Sequence, residues 1–174
     1  DISGLPNETA GILTALISRL VFQFKLWQSV EDRTKDPILL VYEEAHRYVP
    51  NSGEAHYKEA QIAVRRIAKE GRKYGLLLGI VSQRPSELSE TTISQCSNFL
   101  VFKMFHPRDL QFIKDIISSA DITLTNKIKT LHPGTCIMFG TAFKMPTIAI
   151  LDKPNPEPLS QNCDINRTWY IHNN

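Results

Sequence analysis

Two carboxylates, Glu43 and Glu44, follow directly on the apolar run ILLVY (Ile38–Tyr42). If that run is a strand, consecutive side chains at its tip point to opposite sides. One carboxylate can then hold the water shell of Mg²⁺ while the other polarises an attacking water. Phosphoanhydride hydrolysis needs this division of labour, since it is mostly positioning and charge stabilisation around an in-line attack. A second apolar run, LLLGIVSQ, delivers Gln83, whose neutral amide donates to a phosphate oxygen and accepts from a water at the same time. Between the two runs, residues 58–73 carry six cations (Lys58, Arg65, Arg66, Lys69, Arg72, Lys73) against Glu59 and Glu70, a local +4 in a chain of +2. A planar guanidinium stabilises transition-state charge better than an ammonium. Arg72 is the first candidate for that role, with Arg65 and Arg66 as competitors. Each feature alone is commonplace on strand ends and solvated helices; the pair of strand tips is what points to chemistry.

The elements that must position these groups follow from the apolar spacing. Thr9 to Gln28 places Leu13, Leu16, Ile17, Leu20, Phe24 and Trp27 at helical spacing, after a stop at Pro6-Asn7. Asp36-Pro37 breaks the chain and releases the first strand, continuous enough in apolar residues to be buried on both faces. A helix over about 54–74 turns Ala60, Ala63, Ile67, Gly71 and Tyr74 to one side, and Gly75 ends it before the second strand. A strand–helix–strand unit results, with the two strands parallel across a right-handed crossover. NFLVFKM reads as a third strand, and Pro107 opens a helix with Leu110, Ile113, Ile116 and Ile117 inward. A short helix follows over about 124–130, then TCIMFG and TIAIL as a hairpin at the sheet edge. The fold class is therefore α/β. Residues 152–174, with Pro154, Pro156 and Pro158, read as an extended arm beyond a domain of residues 1–151, and Trp169 and Tyr170 could brace a neighbour there.

Composition bounds the partners. The chain has 174 residues, 42% hydrophobic and 22% charged, enough to bury a core. A net charge of +2 demands neither a nucleic acid nor a membrane surface. The longest uninterrupted apolar runs are five and six residues, so no spanning segment and no membrane partner is expected. The N-terminus carries no secretory pattern. Cys96, Cys136 and Cys163 form no C-x-x-C pair, which fits small apolar packers in a reducing, cytoplasmic setting. His46, His56 and His106 contain no H-E-x-x-H and no pair four residues apart, so a structural metal is not expected.

LLVYEEAHRYVP, RRIAKEGRKYGLLLGIVSQRPSELS and NFLVFKM, in that order, resemble the C-terminal part of the HerA-type ATPases of the HerA/FtsK superfamily. The resemblance runs from about Asp1 to Leu151. It implies a RecA-like core, a mostly parallel sheet flanked by helices, Mg²⁺ and ATP as cofactors, and a homo-hexamer that threads double-stranded DNA. It also implies a partner nuclease of the NurA kind or an antiphage effector, in break repair or in defence. By it, Glu43 and Glu44 fall on the Walker B pair, Gln83 on the sensor position, and Arg72 on the arginine acting across a subunit boundary. Glu43 holds Mg²⁺ through water, because the family motif usually has Asp there. No G-x-x-x-x-G-K-[ST] occurs in the 174 residues, so the piece alone is expected to be inactive, with the phosphate loop and a β-barrel in a preceding part. A DNA contact is assigned to Lys58 and the 51–60 loop. Two alternatives stand beside the motor: a non-catalytic scaffold that organises an effector enzyme, and a superfamily 2 helicase suggested by the likeness of EEAH to DEAH.

Overall fold

The computed structural model describes residues 2, 4–51, 58–117 and 122–159. Helix α1 spans Asn7–Trp27. Its packed face is small and polar: Ala10, Ala15 and Ser18 are buried beside Phe22, and Ser18 Oγ lies 2.7 Å from the Tyr42 hydroxyl. Small residues let α1 approach helix α3 (Lys58–Glu70) closely, and the two helices pack together. The expected apolar stripe is therefore largely on the outside. Leu16, Leu20, Phe24 and Trp27 are exposed, Trp27 by 78%.

A short helix, α2 (Val30–Lys35), was not expected; Ser29 caps it by accepting from Asp32 N at 3.1 Å. Arg33 on α2 closes the end of α1 by donating from Nε to the Lys25 carbonyl at 3.0 Å, and Lys25 is itself fully buried with Nζ on the Asp36 carbonyl at 2.8 Å. These bonds fix where the chain leaves α1 and enters strand β1 (Ile38–Tyr42).

β1 pairs in parallel with β2 (Leu76–Ile80), joined through α3 and a 3-10 turn at Gly71–Tyr74, as the spacing predicts. The helix itself is described only from Lys58, so the earlier part of the expected helix and most of the 51–60 loop lie outside the described residues. One sheet face packs on Phe22, Ile67 and Tyr74 through Ile38, Leu40, Leu76 and Leu78. The other face does not carry the cover expected of a strand buried on both sides: Leu39, Val41, Leu77 and Val81 are all about half exposed.

After β2, a 3-10 turn (Pro85–Glu87) and helix α4 (Glu90–Ile93) lead to β3 (Asn98–Val101). β3 stops at Val101, short of the NFLVFKM expectation, where its register with β4 (Thr135–Gly140) ends at Ile137. β4 pairs with β5 (Thr147–Ile150), so β3, β4 and β5 form an antiparallel sheet, and no bond joins it to β1–β2 among the described residues. The hairpin thus edges a sheet of its own. Helix α5 (Pro107–Ile116) and the 3-10 turn Ile128–Thr130, which follows helix α6 (Ile122–Lys127), pack against it through Leu110, Ile113 and Ile128, with Ile117 and Leu131 beside them.

Beneath the strands the apolar core is shared, since Phe99, Phe112 and Ile116 also pack on the cluster of Tyr42, Ala45 and Val64. The Ser86 N–H donates to the buried Asp109 carboxylate at 3.0 Å. That bond ties the segment after β2 to the first turn of the helix after β3. The free edges of β2 and β3 line one open cleft of about 1540 Å³. Residues 151–159 run without helix or strand and are exposed; the rest of the arm lies outside the described residues.

Candidate active site

Glu43 and Glu44 stand at the tip of β1 and Gln83 three residues past the end of β2, and all three line the cleft. In-register parallel pairing, with Tyr42 opposite Ile80, puts the tips side by side. Two bonds extend the match beyond the strands: the Val81 N–H donates to the Tyr42 carbonyl at 2.9 Å, and the Ala45 N–H donates to the Val81 carbonyl at 3.0 Å. Gln83 Nε2 donates to Glu44 Oε1 at 3.0 Å, so the structure joins the second carboxylate of the doublet and the amide directly.

The expected alternation of the two carboxylates fails at Glu44. The strand has ended, and Glu44 adopts φ 48°, ψ 44°, which turns the chain into the 3-10 turn Ala45–Arg47. Both carboxylates consequently border the same cleft. Glu43 is exposed and its carboxylate makes no hydrogen bond or ion pair with any described residue. A free carboxylate suits Mg²⁺, which keeps several waters and takes only one or two carboxylates beside phosphate oxygens. Glu44 is half-buried, and its second oxygen faces His46 Nδ1 at 3.4 Å. His46 and Ser82, 3.1 Å apart, were not picked out as site residues. A signal was present, since Ser82 precedes Gln83 in the same polar strand end.

The three arginines separate clearly. Arg65 is partly buried and donates to Ser89 Oγ at 3.1 Å. Arg66 pairs with Glu70 at 3.9 Å and covers the Phe22 ring at 4.5 Å. Arg72 is exposed in the 3-10 turn after α3, borders the cleft, and makes no side-chain hydrogen bond or ion pair with a described residue. Lys58 is exposed at the start of α3.

Burial raises the Cys96 and Cys136 thiols above their ordinary value, which fits packing residues; Cys163 lies outside the described residues. Helix α1 has the length and composition of a membrane span over Glu8–Trp27, which the run-length argument overlooked because polar residues interrupt its apolar stretches. Its bonds to Asp36 and Tyr42 tie it to the segment entering β1 and to the strand's last residue.

No protein-family profile matches the chain. Curated relatives do. The chain is 33% identical over 171 residues to the DNA double-strand break repair helicase HerA of Sulfolobus acidocaldarius, which covers 97% of this chain and 34% of that protein. It is 37% identical over 112 residues to HerA of Pyrococcus furiosus, covering 64% of the chain and 20% of the relative. A probable helicase of Methanocaldococcus jannaschii is 32% identical over 152 residues, 86% of the chain and 29% of that protein. The chain thus spans about a third or less of the length of these relatives. Among solved structures, the DNA-packaging ATPase B204 of Sulfolobus turreted icosahedral virus superposes with a TM-score of 0.55 at 22% identity, over 76% of this chain and 62% of that one. The related packaging NTPase from the second such virus, in complex with ATP-γ-S, gives 0.53 at 20% identity, over 66% and 52%. These likenesses show the fold, an α/β core with a parallel strand pair flanked by helices. With its paired strand tips, its packaging-NTPase fold and its agreement with HerA along nearly the whole chain, the protein belongs to the HerA-type family.

Proposed function

We propose that these residues form the carboxylate half of an ATP-hydrolysing motor site in a HerA-type DNA translocase. The observation that carries the reading is the 3.0 Å bond between Gln83 and Glu44 across the tips of two parallel strands, in a cleft that also borders Glu43 and Arg72. Glu44 polarises the attacking water. Glu43 would hold Mg²⁺ through water, and the ion would screen phosphate charge there. Gln83 leaves Glu44 to touch the γ-phosphate, and Arg72, without a side-chain partner among the described residues, reaches a neighbouring subunit's nucleotide.

The phosphate-cradling loop is supplied by another part of the full-length protein. Its strand has a ready place between the free edges of β2 and β3, which line one cleft. The uncovered face at Leu39, Val41 and Leu77 then receives the helix that follows such a loop. The assembled protein is a homo-hexamer acting on double-stranded DNA, with Lys58 at the DNA, alongside a NurA-like nuclease or an antiphage effector.

Glu44→Gln in the full-length protein tests the reading. It should lower ATP turnover by about 10²–10⁴-fold while nucleotide still binds. Full turnover in that variant sinks the assignment, and a full-length protein that binds nucleotide but never hydrolyses it points to the scaffold alternative.

A further inference from the structure

Among the described residues Glu44 is the one non-glycine residue with positive φ. A left-handed conformation is strained for a residue with a side chain and persists only where its surroundings hold it. The backbone is held on both sides, by Ala45 N–H on the Val81 carbonyl and Arg47 N–H on the Glu44 carbonyl. The carboxylate is gripped twice, at Oε1 by the exposed Gln83 amide and at Oε2 by His46 Nδ1. His46 is the more sheltered grip, with its side chain only 17% exposed.

Ser82 seats the imidazole. Its Oγ accepts from the Arg84 N–H at 3.0 Å and lies 3.1 Å from His46 Nδ1. A lone pair at Nδ1 would oppose the Glu44 carboxylate at 3.4 Å. Nδ1 therefore carries the proton and donates it to Ser82 Oγ, and the positive edge of the ring faces Glu44 Oε2, an assignment made from these polar contacts.

We propose that His46, seated by Ser82, is a positioning residue that fixes the direction of the Glu44 carboxylate, with Gln83 as the exchangeable second grip. When the Gln83 amide turns to a phosphate, Oε1 is released to accept from water. The carboxylate would then be free to swing unless Oε2 stays anchored. His46 is the anchor that remains. The inference rests on Glu44 being the water-polarising carboxylate.

The test uses full-length protein, with single-turnover ATP hydrolysis and equilibrium binding of a fluorescent ATP analogue measured side by side. His46→Ala should slow hydrolysis by about 10–100-fold, the size expected of a misaimed reacting group, with nucleotide Kd changed by less than about twofold. His46→Asn, whose side-chain N–H₂ replaces the Nδ1 donor, should recover most of the rate, and Ser82→Ala should fall between. The proposal is overturned if His46→Ala stays within about threefold of the parent rate, if Kd weakens in step with the rate, or if Asn rescues no better than Ala. Should His46→Ala fail to assemble, Ser82→Ala decides: an unchanged rate overturns the proposal and a slowed rate at unchanged Kd supports it. A Glu44→Gln variant that still turns over removes the parent reading as well, whereas an inactive Glu44→Gln beside a fully active His46→Ala removes this proposal alone.

Discussion

Gly75 joins the arginine-bearing turn after α3 to the strand that carries Gln83, and its replacement by Ala separates two costs. Gly75 has φ 71° and Gly134 has φ 75°, so Ala at either position meets the same left-handed penalty of about 1–2 kcal/mol. The surroundings differ. A Cβ at Gly134 finds nothing nearer than the Leu151 carbonyl at 3.9 Å, whereas at Gly75 it lies 2.5 Å from the Arg33 carbonyl oxygen. That contact must open by about 0.8 Å to reach an ordinary C···O separation of about 3.3 Å. Arg33 resists, because its guanidinium closes α1 and stacks on Tyr74 at 4.8 Å. Overpacking of this kind adds about 1–3 kcal/mol. The expected totals are about 1.5 kcal/mol for Gly134→Ala and about 3.5 kcal/mol for Gly75→Ala. For a domain of this size they correspond to Tm losses of about 3–6 °C and about 7–14 °C. Thermal denaturation followed by circular dichroism reads both. Equal losses in the two variants would show that the Arg33 contact is not there and would refute the account of how α2 is locked to the head of β2.

Other outcomes follow from single contacts. Burial raises the Tyr42 hydroxyl above its ordinary value of 10.0, partly offset by its hydrogen bond with Ser18. The folded state holds this proton more tightly, so the unfolded chain ionises first and stability falls as pH climbs past 10; Tyr42→Phe should lose about 1 kcal/mol at pH 8 and show less of that alkaline decline in melts. Asp109→Ala should lose about 2–3 kcal/mol, because the Ser86 N–H forfeits a charged acceptor, and Asp109→Asn should regain about half; equal urea midpoints for the two would show that the bond is unimportant. Arg72→Ala should leave nucleotide affinity intact and cut turnover by at least about 10³-fold, and mixing it with Glu44→Gln subunits should restore some hydrolysis if the arginine serves a neighbour.

Much of the site was legible because it depends on strand tips. ILLVY and LLLGIVSQ are short apolar runs bounded by Asp36-Pro37 and Gly75, and parallel pairing in register necessarily brings their ends together. The left-handed turn at Glu44 was not legible, since nothing in a Glu side chain requires positive φ; it follows from the tertiary bonds to Val81. The face of α1 was misjudged for a related reason. Periodicity reveals an apolar stripe but not what it meets, and here close helix packing selected Ala15 and Ser18 instead. Helix α2 escaped notice because VEDRTK has no buried residue and stands on its Ser29 cap and on Arg33. The helix at Pro107 was easy, with a proline start and three inward aliphatics within three turns.

The outward ridge of α1 has a practical corollary for the bench. Leu16, Leu20, Phe24 and Trp27 give water a continuous greasy strip about 16 Å long, from eleven helical rises of about 1.5 Å each. Prepared by itself, the 174-residue chain should scatter light increasingly with concentration and bind hydrophobic dyes, and Leu20→Lys together with Phe24→Lys should reduce both.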